Sequence, residues 1–183
     1  MRRQSGFTMV EVLVVILIVA VTAAIAVPSY LSWLPDIRLR GAVRDLKSDL
    51  GLAKQRAVRE NGHAAVIFDI PNNRYTVFVD NGANPGGGGA VDDWAPNGDE
   101  PVLKIVPMPT DVTMYAESFP GTGAPVGSPG VRFDGRGLPN VTGDAFVRVR
   151  NTKNNYMGIS MSLVGLIDIQ RSTDGGGTWQ NAE

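Results

Sequence analysis

GFTMVEVLVVILIVAVTAAIAV, residues 6–27, is the stretch whose reading decides the fold. From Phe7 to Leu34 the only charged side chain is Glu11. The segment Phe7 to Val27 would form a helix of roughly 31 Å, the thickness of a bilayer's hydrocarbon core. Ahead of it, Arg2 and Arg3 lie in a short polar lead, residues 1–6, and hold that end in the cytoplasm while the rest of the chain passes outward. A plain signal anchor or a secretory signal would show the same charge asymmetry, and Ala24-Ile25-Ala26 fits a small-residue cleavage site, so that test alone does not separate the readings. Glu11 does more. An acidic group near one end of a lipid-embedded helix costs a few kcal/mol, by analogy with roughly 2.5–3.5 kcal/mol for a central charge, and a passive anchor has no use for it.

With Gly6-Phe7-Thr8-Met9-Val10-Glu11 ahead of its apolar run, the chain resembles the type IV pilin and pseudopilin superfamily. The resemblance implies a prepilin peptidase that cuts between Gly6 and Phe7 and methylates the new amine of Phe7. It also implies that Glu11 pairs with the N-terminal ammonium of a neighbouring subunit. A carboxylate that is costly in lipid then favours assembly, because its counter-charge arrives only with the next subunit. Phe7, Glu11 and Pro28 are accordingly the expected assembly residues, Pro28 standing where the family usually has a helix-loosening proline. The implied setting is a single-pass inner-membrane protein with a cytoplasmic N-terminus and a periplasmic head, later drawn into a periplasmic or cell-surface filament.

Helical periodicity resumes beyond Pro28. Leu39, Val43, Leu46, Leu50, Ala53 and Ala57 follow a three-four spacing, with Arg40, Arg44, Lys47, Lys54 and Arg59 mostly off that stripe. Asn61-Gly62 supplies a stop, so one helix is expected from about Thr8 to Asn61, kinked near Ala24 to Pro28 and with room for a break at Pro35. The expected divisions are a leader (1–6), a transmembrane or filament-core helix (7–34), an amphipathic helix (35–62) and a β-rich head (63–183).

After Gly62 the pattern shifts to short runs of period two. Strands are expected at His63 to Ile70, Arg74 to Asp80, Val102 to Val106, Val112 to Ala116, Gly130 to Asp134, Ala145 to Arg150, Tyr156 to Ser162 and Leu166 to Arg171. Pro71-Asn72-Asn73 should join the first two as a hairpin, and residues 81–100, with Gly86 to Gly89, form a long surface loop. Most of the 22 Gly and 12 Pro fall after residue 70, which suits such a body. The fold class is therefore α+β, a long helix laid across an antiparallel sheet. This order, with Val131-Arg132-Phe133-Asp134-Gly135-Arg136-Gly137, is similar to the GspH/FimT branch of minor pseudopilins and minor pilins. That branch contains components that prime assembly or sit at a filament tip, and some of the FimT side bind DNA in natural transformation.

Charge and composition narrow the function. Ser29 to Asn61 holds seven Lys/Arg against four Asp/Glu, and Gly62 to Glu183 holds eight against thirteen. An acidic body is a poor start for a nucleic-acid binder, and the basic segment suits the acidic surfaces of sister subunits. Arg148 and Arg150 share one strand face, and with Arg132 and Arg136 they are the candidate DNA contacts. Against DNA, Gly165-Leu166-Ile167-Asp168 stands where DNA-binding relatives carry Gly-Arg-x-Arg. Asp92, Asp93, Asp99 and Glu100 are the only weak candidates for calcium, and their spacing matches no EF-hand. No cofactor is expected. Zero Cys removes thiol chemistry, and the single histidine, His63, belongs at the helix-to-strand join rather than in a metal site. Without a nucleophile elbow, P-loop or dinucleotide fingerprint, the sequence reads as a structural subunit rather than an enzyme. Ser172-Thr173-Asp174-Gly175-Gly176-Gly177-Thr178-Trp179 matches a single Asp-box and should form a tight hairpin, with Asp174 bonding turn amides and Trp179 covering a core edge.

Overall fold

A computed structural model describes residues 6–80, 100–121 and 129–182. Helix α1 (Met9–Glu60) comes first. Among the described residues it is followed by β1 (Ala64–Asp69), β2 (Arg74–Val79), β3 (Val102–Pro107), β4 (Val112–Ser118), β5 (Gly130–Phe133), β6 (Ala145–Asn151), β7 (Tyr156–Met161), β8 (Ile167–Ser172) and β9 (Gln180–Asn181). Two compact units divide the chain, Met1–Pro35 and Asp36–Glu183.

In the first unit the α1 backbone stays helical through Pro28, and it continues through Pro35 instead of breaking there. A proline removes one N–H from the ladder, and the intact bonds on either side hold the helix across that gap. Thr22 and Ser32 donate their hydroxyls to carbonyls three or four residues back, at 2.9 Å to Ile18 and 2.7 Å to Ser29, so these polar side chains need no outside partner. Large apolar side chains from Val10 to Trp33 are exposed throughout, Leu17 at 60 % and Ile25 at 73 %.

The second unit holds the core. Leu39, Val43, Leu46, Leu50, Ala53 and Ala57 of α1 are buried in one cluster with side chains from two sheets. One sheet has the order β3-β2-β1-β5 and the other β4-β6-β7-β8-β9, antiparallel throughout. Two sheets replace the one sheet expected from sequence. Each strand's alternation fixes which face is buried, but pairing partners are set by long-range contacts that no strand announces. Val66, Phe68, Tyr75, Val77, Val131 and Phe133 supply the first sheet's share, and Met114, Val147, Val149, Ile159 and Met161 the second's. Strand bounds move by a residue or two from those expected, and β9 is added as a two-residue partner of β8.

The helix stop lies where the sequence put it. Asn61, not Gly62, takes the left-handed conformation (φ 47°). Gly62 N–H then donates to Ala57 O at 3.1 Å and Asn61 N–H to Val58 O at 3.3 Å, the paired bonds of a Schellman cap. The turn after β5 packs close to this end. Gly137 (φ 78°) lies so near α1 that a Cβ there would come within 3.0 Å of Val58 Cγ2 and 3.1 Å of Lys54 Cε.

Candidate assembly site

Gly6 and Phe7 lie outside α1, and both are exposed, Phe7 at 83 %. Nothing stands within 4 Å of a Cβ built on Gly6. The Gly6–Phe7 bond is thus non-helical backbone open to a protease. At the helix start Thr8 N–H donates to Glu11 Oε2 at 3.4 Å, and Glu11 N–H to Thr8 Oγ1 at 3.2 Å. This is a reciprocal capping box, Thr8 at N-cap and Glu11 at N3, and it satisfies two of the donors a helix start leaves unpaired. The Thr-x-x-Glu spacing of a capping box is itself present in the sequence. In a single chain the carboxylate therefore already faces the backbone one residue from Phe7. Its helix has a segment of mean hydropathy 3.0 in which none of the residues is buried, so the run is not the core of this protein.

The four candidate arginines are not brought together. Arg132 is on β5 in the first sheet, 12 % exposed, with Nη1 3.3 Å from Asp80 Oδ2, while Arg136 holds Asp134 at 2.8 Å in the turn beyond. Arg148 and Arg150 lie on β6 of the second sheet. The Arg148 guanidinium is sandwiched 4.1 Å from the Phe146 ring and 4.2 Å from Trp179, and that of Arg150 lies 5.6 Å from the Tyr115 ring. Gly158, opposite Arg148, leaves the room this needs, since a Cβ there would sit 3.3 Å from Arg148 Cγ.

In the Ser172–Trp179 hairpin, Asp174 Oδ1 accepts from Gly177 N–H at 3.0 Å, Thr178 N–H at 2.8 Å and the Ser172 hydroxyl at 2.6 Å. Ser172 and Thr178 lead the bonds that hold its carboxyl well below the usual carboxylate range. Trp179 folds back to donate Nε1–H to Gly176 O at 3.0 Å and covers Arg148 rather than an apolar core edge.

Asp92, Asp93 and Asp99 lie outside the described residues. Glu100 is buried, 6 % exposed, and no group of three or more metal-ligating side chains gathers among the described residues. His63 sits between α1 and β1, its carbonyl accepting from Asp80 N–H at 3.0 Å.

Two polar knots escaped the sequence reading. Asp49, on the buried stripe of α1, accepts from the Tyr75 hydroxyl at 2.6 Å and from Lys104 Nζ at 2.9 Å. Burial first, and the Asp49 carboxylate second, push the Tyr75 hydroxyl far above its ordinary value. Asp36 accepts from Asn151 Nδ2 at 2.6 Å and Asn155 Nδ2 at 2.5 Å, with Lys153 Nζ at 3.7 Å. Partial burial disfavours its charge, yet the two amides and Lys153 together hold its carboxyl below the ordinary value. No local spacing signals these contacts, whose partners lie 26 to 119 residues apart.

Comparison with known proteins places the chain. Residues 1–27 match the prokaryotic N-terminal methylation motif, and residues 42–165 match the type II transport protein GspH. No curated protein matches the sequence. Among solved structures, the minor pseudopilin EpsH of the Vibrio cholerae type 2 secretion system is similar at 11 % identity and a TM-score of 0.49, over 75 % of this chain and 99 % of that one. With its methylation motif and a GspH match over most of its length, the chain belongs to the GspH family of type II transport proteins.

Proposed function

We propose that this protein is a minor pseudopilin of type II secretion, a structural subunit that primes the pseudopilus or sits at its tip. Its precursor spans the inner membrane through residues 7–34, with Arg2 and Arg3 on the cytoplasmic side and the head in the periplasm. Prepilin peptidase cuts between Gly6 and Phe7, and the mature helix packs among those of other pilin-like subunits. There Glu11 neutralises the ammonium of a neighbour's Phe7, and Pro28 loosens the helix for packing.

The observation that supports this reading best is the exposure of the whole apolar run. The large apolar side chains from Val10 to Trp33 are exposed among the described residues, and Glu11 is the one charge in that run. A surface of that size and character requires lipid or other helices around it. The four candidate arginines, divided between two sheets and engaged with Asp80, Asp134 and aromatic rings, offer no stripe for a DNA backbone.

Glu11→Gln tests the assembly role. Glutamine serves at N3 of a capping box, so the helix start is kept while the charge is lost. The variant should be cut after Gly6, as mass spectrometry of the mature N-terminus would show, yet enter filaments poorly. Wild-type incorporation of Glu11→Gln would remove the proposed pairing.

A further inference from the structure

A groove of about 660 Å³ opens on the second unit between α1 and the inner faces of β7 and β8. Its size falls in the roughly 300–1,000 Å³ range of ligand clefts. Leu39, Met157 and Ile169 give it an apolar floor, and Arg40, Arg44, Lys47 and Arg171 line it. The arrangement follows from sequence and register together. Arg40, Arg44 and Lys47 stand four and three residues apart, hence on one face of α1. Arg171 pairs in register with Met157, so it points to the same side of the second sheet as the core.

Four cations around one groove repel one another, and like charges spaced i, i+4 destabilise a helix. Among the described residues Asp36 is the only carboxylate in the lining, and it is held by Asn151, Asn155 and Lys153, while Lys47 has an interaction of its own. Arg44 and Arg171 make no side-chain hydrogen bond or ion pair among the described residues, and Arg40 interacts only with Asp36 through charge. Several head carboxylates are already engaged within the chain: Asp69 with Arg74, Asp111 with Arg38, Asp134 with Arg136 and Asp174 with its own turn. That leaves a concave, cation-lined surface with apolar footing, and it favours a different chain over a second copy as the source of the counter-charge.

We infer that this groove docks an acidic polypeptide segment with apolar side chains, carried by a different neighbouring subunit of the filament. The inference rests on the assembly reading above and adds to it a lateral contact made by the head. Guanidinium forks would take the segment's carboxylates, and Met157 and Ile169 would meet its apolar side chains.

The test uses the full chain in neutral detergent micelles and a short labelled peptide of repeated Glu-Leu-Glu triplets. Binding should weaken steeply with salt and fall roughly tenfold or more in Arg40→Gln/Arg44→Gln/Arg171→Gln, whereas Arg59→Gln, outside the groove, should bind as wild type does. All three arginines are exposed, and an unchanged melting temperature would show that the variant is folded. Equal binding of the Gln-Leu-Gln peptide, or no loss in the triple variant, overturns the proposal. So does equal arginine-dependent binding of single-stranded DNA or of micelles doped with phosphatidylglycerol, which would make the groove a phosphate site. Salt-sensitive self-association abolished by the same variant would instead name a second copy and also overturn it.

In cells, Arg40→Glu/Arg44→Glu should be cleaved after Gly6 and yet enter filaments poorly. If it enters as the wild type does while Glu11→Gln does not, the groove proposal alone fails. If the wild-type chain enters no filament, the assembly reading fails with it.

Discussion

Two stretches of α1 carry aliphatic side chains and use them in opposite ways. Around Leu17, 60 % exposed, the apolar residues run on all sides of the helix and are exposed. Around Leu46, 1 % exposed, they form one stripe, with Arg44, Asp45 and Ser48 left outside. The contrast is one of content and of pattern together: the first stretch is almost wholly apolar, and the second confines fewer apolar residues to one side. A stripe finds its cover inside the same chain, whereas an all-round apolar surface must find it in lipid or in other subunits.

The sharpest way to break this comparison is to shorten one leucine in each stretch. Leu46→Ala should lower the stability of the head by about 2–5 kcal/mol, because the surrounding core cannot close the cavity. Leu17→Ala should leave the head's thermal melting unchanged, since Leu17 is exposed and lies outside the unit that holds the core. Equal effects of the two would mean that the first stretch is covered within the chain after all.

A smaller effect sharpens the comparison within the buried stripe, which has one polar member. Asp49→Ala leaves the buried Tyr75 hydroxyl without its acceptor and should cost about 1–3 kcal/mol in a urea titration. Lys104→Met should cost less, because Lys104 is half exposed and its ion pair is screened by water.

The smallest effect concerns Asp36. Its folded carboxyl is held below the ordinary value of 3.8, so its contribution to stability is full above that value and is lost as pH falls through the lower, folded one. The stability gap between wild type and Asp36→Asn, read from urea midpoints, should therefore be widest at neutral pH and shrink below about pH 4. A gap that stays constant into acid would show that the Asn151 and Asn155 contacts do not depend on its charge.

Much of the candidate site was legible along the chain because its logic is local. Gly6, Phe7 and Glu11 fall within six residues, and the apolar run speaks by length alone. The Asp174 hairpin was legible for the same reason, its acceptor and donors lying within seven residues. Trp179 was placed less well. It covers Arg148, a residue 31 positions earlier in the chain, and nothing in the Asp-box spacing points there. The arginines show the same limit, since their strands were identified but their division between two sheets was not.

What the sequence determined by itself is the helix from Met9 to Glu60 with its Asn61-Gly62 stop, the apolar anchor with its single acid, and the alternation that makes the head strand-rich. Each is set by periodicity, composition or a spacing of a few residues, which act before the chain meets itself. Tertiary structure alone decided that the strands form two sheets, that Asp49 meets Tyr75 and Lys104, and that Arg171 of β8 joins Arg40 and Arg44 in one groove. Those partners lie 26 to 131 residues apart, and only packing of the whole core fixes which of many possible pairings is made.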